Sequence, residues 1–331
     1  MYDFRSTELA VVVIGRNEGE RLRTCLFALQ TSSMAELIVY VDSGSTDDSV
    51  AMATAMGCLV HSLDMSMPFT AARARNEGAY VVRSRMQNVR FLQFVDGDCE
   101  VLANWLPEAT EFLHSHGDVA AVCGRRRERY PDQSVFNRLC DIEWDTPLGE
   151  ARSCGGDVLM RADAFFAAGG YKPSLIAGEE PELCVRLRSS GWKIWRLGVE
   201  MTLHDAAMYR FAQWWHRSKR AGYAFAEGAH LHGAAPERHY VNEMRRAVLW
   251  GALLPIALGL GSLWNSIGYG LLFLYPVQVI RIGWKGTTVA LGFAWPRAIF
   301  LVLAKFPEFI GVLKFWKNQL SGKAGTIIEY K

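Results

Sequence analysis

Three short apolar runs, each stopping at a polar cluster, constrain this chain more than any other feature. Val11–Ile14, Leu37–Val41 and Phe91–Val95 are β-branched or aromatic and too short for helices, and each ends among Gly, Asp or Ser. Between the first two, Leu22, Cys25, Leu26 and Leu29 recur at helical spacing within Glu20–Gln30. Strand–helix–strand at this spacing predicts an α/β fold, a mixed and mostly parallel sheet flanked by helices. Ligands of such sheets bind beyond the carboxyl ends of the strands, where the polar clusters of this chain sit.

Composition narrows the function classes. With 331 residues the chain is long enough for about two domains at roughly 150 residues each, and 50% hydrophobic residues exclude a disordered chain. Lys+Arg number 36 against 34 Asp+Glu, a net charge of +2, which argues against nucleic acid as a partner. Seven scattered cysteines without a C-x-x-C pair predict reduced thiols. The run Leu9–Ile14 reads as a buried strand and is too short for a signal peptide.

The charge is unevenly spread. Residues 247–331 carry eight basic and two acidic side chains, a net +6, which leaves −4 for the first 246. Within that tail, Ala247–Ile280 is 34 residues with no Asp, Glu, Lys, Arg or His, where a membrane span needs ~20. One straight helix of that length would overshoot the bilayer core. A break near Trp264–Gly268 and a hairpin of two short helices are therefore expected. Arg245 and Arg246 before the stretch and Arg281 and Lys285 after it predict that both ends face the cytoplasm. Thr287–Trp316, interrupted by Arg297, Lys305, Glu308 and Lys314, predicts an interfacial helix or a second hairpin.

The strongest chemical signal is Asp96-Gly97-Asp98 at the end of a strand, two carboxylates suited to a hard divalent cation, Mg²⁺ or Mn²⁺, that also holds a diphosphate. Asp42 and Ser43 follow a second strand, placed to bond a base or ribose, and Ser45 with Asp48 reads as a capping box. In Gly178-Glu179-Glu180 the adjacent carboxylates repel, so one is expected to keep a raised pKa and serve as a general base. Glu182 reads as structural, and His230 and His232 as loop residues. Two basic runs could meet an acceptor phosphate or anionic lipid: Arg125–Arg129, which follows an expected strand over Val119–Cys123, and His216–Arg220.

Taken in order, Asn17-Glu18, Asp42–Asp47, Ala74-Arg75-Asn76-Glu77-Gly78, Asp96-Gly97-Asp98, Gly155-Gly156-Asp157, Gly169-Gly170-Tyr171 and Gly178-Glu179-Glu180 resemble the inverting family 2 glycosyltransferases over about residues 8–225. The resemblance implies a GT-A fold and a nucleotide-sugar donor, a UDP-sugar first and a GDP-sugar second. It places Glu18, Asp42 and Ser43 at the nucleoside, and Arg75 near the base or diphosphate. Asp96 falls by the ribose and metal, Asp98 becomes a metal ligand, and His204 a further one. The base falls on Glu180 or its neighbour Glu179, and Gly156 and Asp157 fall in the acceptor pocket. Gln213–Arg217 lacks the Q-x-x-R-W spacing of processive polysaccharide synthases.

The expected layout is thus a catalytic domain over 1–225, a juxtamembrane linker over 226–246 and membrane-associated helices over 247–331. The expected activity is metal-dependent transfer of a sugar to a hydroxyl of a lipid-linked acceptor in polysaccharide or glycoconjugate assembly, on the cytoplasmic face of the inner membrane. Transfer to a polyprenyl phosphate and glycolipid synthesis are the nearest alternatives. A sugar-nucleotide pyrophosphorylase would show a Gly-rich phosphate loop where this chain has Gly15-Arg16-Asn17-Glu18. A non-catalytic membrane-binding module would bind donor without turnover.

Overall fold

The computed structural model describes residues 8–32, 34–264, 266–286, 292–323 and 325. The chain divides into two compact units, Met1–Pro131 with Glu143–Ala206, and Asp132–Ile142 with Ala207–Lys331.

The first unit is built on β1 (Leu9–Gly15), β2 (Leu37–Asp42), β3 (Leu59–Ser62), β4 (Phe91–Asp96), β5 (Cys99–Val101), β6 (Val119–Glu128), β7 (Gly149–Ala151), β8 (Val158–Arg161) and β9 (Lys193–His204). They form one sheet in the order β3-β2-β1-β4-β8-β6-β9-β5, with β7 added to β9. β3, β2, β1 and β4 are parallel, as the apolar runs and crossover helices require. β8 runs antiparallel between β4 and β6, and β6 is parallel to β9, so the sheet is mixed. Leu9–Val13 of β1 are fully buried on both faces, which is why that strand reads as a continuous apolar run.

Register aligns the strand ends. Gly15 of β1 pairs with Asp42 of β2, and Ile14 pairs with Asp96 of β4. The carboxylates of two strands therefore emerge at one level. β6 runs past its expected end at Cys123 to Glu128, so most of the Arg125–Arg129 run lies in the strand. The expected capping box does not form. The helix Ser49–Ala55 has no side-chain cap from Asp48, because Asp47 accepts the Ser49 N–H at 3.0 Å and the Ser45 hydroxyl accepts the Asn17 N–H at 2.9 Å. All seven cysteines are buried thiols, and none of them forms a disulfide.

The second unit is helical. Phe211–His232 is one helix, so His230 and His232 stand in its last turn and not in a loop. A helical run of 23 residues, Val241–Leu263, contains an 18-residue window with a mean hydropathy of 1.5 and is long and apolar enough to cross a membrane. It starts earlier than the uncharged stretch. The α-helix ends at Trp264, a 3₁₀ segment occupies Ser266–Phe273, and a helix returns over Leu274–Gly286; Asn265, within the expected break, lies outside the described residues. Of the second apolar stretch, 287–291 lie outside them too, and the rest forms helices Ala294–Leu303 and Lys305–Leu320. Lys305–Leu320 crosses Phe211–His232 at two glycines. A Cβ on Gly222 would sit 1.9 Å from the Glu308 carbonyl oxygen, and one on Gly311 would sit 2.1 Å from that of Lys219.

Candidate active site

The loops after β1 and β2 are laced together. The Asn17 side-chain oxygen accepts the Thr46 N–H at 2.7 Å, and Glu18 pairs with Arg21 at 2.8 Å. Asp42 is buried, and its Oδ2 accepts the N–H groups of Gly44 and Ser45 at 3.0 Å each. Its carboxylate thereby folds its own turn. The Ser43 N–H reaches the Gly15 carbonyl at 3.0 Å, which holds this loop against the end of β1.

The helix Ala71–Arg85 delivers the centre of the site. Thr70 caps it, accepting the Arg73 N–H at 3.0 Å, and two turns of it are buried against the sheet. Arg75, 2% exposed, donates Nη2 to Asp96 at 2.7 Å, while its Nη1 lies 3.0 Å from both Glu179 and Glu180. Asn76 clamps the Gly170-Tyr171 loop, donating to the Tyr171 carbonyl at 2.7 Å and accepting its N–H at 2.8 Å. Glu182 acts structurally: it holds Arg186, whose Nη2 donates to the Gly170 carbonyl at 2.7 Å.

A second guanidinium closes the cluster. Arg126 of β6 donates to Asp96 Oδ2 at 2.9 Å and to Asp157 at 2.8 Å. Asp157 also accepts the Asp96 N–H at 3.1 Å and the Thr202 hydroxyl at 2.8 Å. Expected at an acceptor hydroxyl, it is fully buried and bonded within the protein. Gly156 lies in the middle of these groups. A Cβ there would come 2.3 Å from Arg75 Nη2 and 3.1 Å from both Asp96 and Glu180, so the loop approaches the carboxylates only because this residue has no side chain.

The two arginines face four carboxylates: Asp96, Asp157, Glu179 and Glu180. Asp96, held by both guanidiniums, stays below its usual range despite burial. Glu180 bears the excess. Burial first, and then the adjacent Glu179, raise it to about 7, against the opposing pull of Arg75. Of the pair, the Glu180 side chain is the more accessible, 14% against 4% for Glu179.

The groups suited to a metal lie one step further along. β5 pairs antiparallel with β9, setting Cys99 opposite His204, and this brings His204 Nε2 to 3.4 Å from Asp98 Oδ1. That separation is within twice a metal–oxygen distance of about 2.1 Å, so both atoms fit one divalent ion. His204 Nδ1 is buried without a hydrogen bond, 3.9 Å from Glu128. Burial lowers the pKa of His204, but the carboxylates of Asp98 and Glu128 together outweigh it and the net shift is upward. Cys99 lies in the same cluster; burial keeps its thiol well above the usual range, hence protonated. A cavity of about 200 Å³ opens beside Asp98, lined also by Glu20, Arg21, Glu100 and Tyr130.

Acidic strand ends on a mixed sheet, an arginine-bridged carboxylate cluster and a carboxylate–imidazole pair agree with the sequence resemblance. Residues 10–167 match the model of glycosyl transferase family 2. The match, just under half the chain, contains Glu18, Asp42, Arg75, Asp96, Asp98 and Asp157, and stops before Glu179, Glu180 and His204. Among solved structures, the mannosyltransferase PcManGT from Pyrobaculum calidifontis, in complex with GDP-Man and Mn²⁺, is similar with a TM-score of 0.62 and 16% identity, covering 92% of this chain and 87% of that one. S. aureus TarS 1-349 gives 0.51 and 14%, covering 96% and 92%. At these identities the likeness concerns the fold, which is of the GT-A kind. No curated protein matches the chain.

Two contributors were not legible as such. Arg126 belongs to a basic run, and only strand alternation separates it from Arg125 and Arg127. Trp144 stands with its ring centre 4.8 Å from that of His204 and 5.3 Å from the Arg126 guanidinium carbon, and no motif contains it.

Proposed function

We propose that this protein is a metal-dependent, inverting glycosyltransferase that moves a sugar from a nucleotide-sugar donor to a hydroxyl group of a lipid-linked acceptor at the cytoplasmic face of a membrane. The observation that carries the reading is Glu180. It is a carboxylate raised to about 7, poised to take a proton near neutral pH, and it shares Arg75 with Asp96 at the end of β4. In this reading Asp98 and His204, with Asp96 beside them, hold Mn²⁺ or Mg²⁺, which when bound offsets the negative charge of the leaving nucleoside diphosphate. Glu18, Asp42 and Ser43 form the nucleoside side of the site. Arg75 and Arg126 keep the four carboxylates in register, and Asp157 braces Asp96 and Arg126. Glu180 accepts the acceptor's hydroxyl proton as the oxygen attacks the anomeric carbon and the C–O bond to the diphosphate breaks. Gly156 leaves room at that point, and the Gly155–Tyr171 segment borders the acceptor.

The apolar run Val241–Leu263, and the basic residues Arg245, Arg246, Arg281 and Lys285 on either side of the uncharged stretch 247–280, support a lipid acceptor and a cytoplasmic orientation. A polyprenyl phosphate acceptor is already an anion and has no proton to lose, so a base of this kind favours a hydroxyl.

The test is turnover of a panel of UDP- and GDP-sugars with lipid-linked acceptors, with and without Mn²⁺, in wild type, Asp98→Ala and Glu180→Gln. Donor binding that requires Mn²⁺ and is lost in Asp98→Ala, with hydroxyl transfer lost in Glu180→Gln, supports the proposal. Full activity of Glu180→Gln would falsify the base assignment and favour a phosphate acceptor. Metal-independent binding would remove the metal role.

A further inference from the structure

The sheet face opposite Arg126 carries a second group of arginines. Alternation along β6 turns Arg125 and Arg127 away from the carboxylate cluster, and β9 brings Arg196 beside them. The three line a cavity of about 450 Å³ with Asp145, Leu148 and Glu200, within the ~300–1,000 Å³ usual for small-molecule sites.

One guanidinium here keeps an open donor. Arg196 is 3% exposed, and its buried Nε has no hydrogen-bond partner. Among the described residues its hydrogen bond is from Nη1 to the Leu197 carbonyl. Arg127 is committed to Glu200, with Nε at 2.8 and 2.9 Å from the two oxygens. Arg125, its side chain 11% exposed, donates Nη1 to the Arg126 carbonyl at 2.8 Å and stands 3.5 Å from Asp145, a carboxylate 60% exposed. Burial, and then repulsion from Arg125, depress the pKa of Arg196, with nearby Cys123 and Asp145 opposing. A buried guanidinium with an open donor is costly unless an anion accepts from it. Planar guanidinium forks match phosphate oxygens in particular.

We infer that the cavity between Arg125, Arg127 and Arg196 is a binding site for a phosphate-bearing ligand, separate from the donor site at Asp98. Two guanidiniums would bond the phosphate oxygens, and Leu148, 65% exposed at the rim, would meet the ligand's apolar or sugar portion. The ligand is a soluble phosphate ester or the phosphate headgroup of a lipid. The segment Trp144–Leu148 joins this cavity to the ring beside His204, so occupancy is positioned to be felt at the metal pair.

The experiment is calorimetric titration of the full-length protein, without nucleotide sugar or metal, with inorganic phosphate, glycerol phosphate and vesicles containing phosphatidic acid. Saturable binding of phosphate or glycerol phosphate, weakened about tenfold in Arg125→Gln and in Arg196→Gln, supports the site and a soluble source. Binding to the vesicles alone, lost in the same variants but kept in Asp98→Ala, supports the lipid headgroup. If Arg196→Gln fails to fold, Arg125→Gln, on the partly exposed wall, decides. Binding unchanged in Arg125→Gln, or lost equally in Asp98→Ala, overturns the inference. No turnover is needed, so this outcome is independent of the transferase reading.

Discussion

Glu180 is the residue whose environment makes the strongest numerical claim. Its ordinary pKa of 4.5 rises to about 7 because it is buried beside Glu179, and Arg75 offsets only part of that cost. If Glu180 is the base, kcat/KM falls on the acid side with a midpoint near pH 7, and Glu180→Gln loses about 10²–10⁴-fold in transfer at pH 8. Stability runs the opposite way with pH. The folded state binds the proton more tightly than the unfolded chain, so the stabilisation is complete below about pH 4.5 and is lost as pH rises through about 7. Glu180→Gln mimics the protonated form and should therefore be more stable than wild type at pH 8, by on the order of 1–3 kcal/mol. The gap should close near pH 5, and thermal unfolding at the two pH values reads it directly. Gly156→Ala makes a complementary prediction. Its Cβ would meet Arg75 Nη2 at 2.3 Å, so the loop or the guanidinium must move. Transfer should drop at least about tenfold and stability by about 1–3 kcal/mol, whereas an unchanged rate would mean that the arginine bridge is not needed. Asp96 and Asp98 were legible in the sequence because a short apolar run ends on them. That Asp157 braces Asp96 and does not face outward was not legible, since its bonds come from Asp96, Arg126 and Thr202 on three other strands or strand ends.

At the scale of elements, pairing register does what local sequence does not announce. His204 meets Asp98 only because β5 folds back antiparallel on β9 and sets Cys99 opposite His204. β5 is three residues long and leaves no alternating pattern to read. The parallel strands were legible from burial on both faces, whereas the antiparallel insertion of β8 between β4 and β6 was not, because Val158–Met160 is as apolar as a parallel strand. The end of β6 was missed for the opposite reason: four charged residues look like a loop until alternate partners are found on the two faces of the sheet. In the helical unit the decisive contact is the crossing of Phe211–His232 with Lys305–Leu320 at Gly222 and Gly311. A methyl group on Gly222 would fall 1.9 Å from a backbone oxygen and 2.4 Å from the Glu308 Cα, and backbone cannot swing aside as a side chain can. Gly222→Ala is expected to cost about 3 kcal/mol, the upper part of the overpacking range, read as a lowered Tm of the full chain. A Tm within a degree of wild type would show that the two helices do not cross this closely.

At the scale of the whole molecule, the uneven charge and the exposed apolar residues bear on where the protein resides. The last 85 residues carry +6 and the rest −4, so attraction to an anionic surface alone could recruit the chain, and it would be screened by salt. Insertion would not. The run Val241–Leu263 is about 34 Å long at ~1.5 Å per residue, and only 17% of its apolar window is buried within the protein. Leu249, Leu253, Ile256 and Leu260 on one side of it are 50–65% exposed, a stripe that water disfavours and acyl chains satisfy. The two modes separate in one fractionation. Inserted protein stays with membranes in 1 M salt, where the Debye length is about 3 Å, and the pair Leu253→Asp and Ile256→Asp, each costing about 2.5–3.5 kcal/mol at the centre of a span, moves it to the soluble fraction with the sheet unit still folded. Release of wild type by salt would reduce the tail to an electrostatic tether, and recovery of wild type in the soluble fraction at low salt would sink the membrane reading. A lipid-linked acceptor requires the first outcome or at least the second, because its sugar is presented at the bilayer surface. The third would turn the search toward soluble acceptors while leaving Glu180, Asp98 and His204 with the chemistry argued for them.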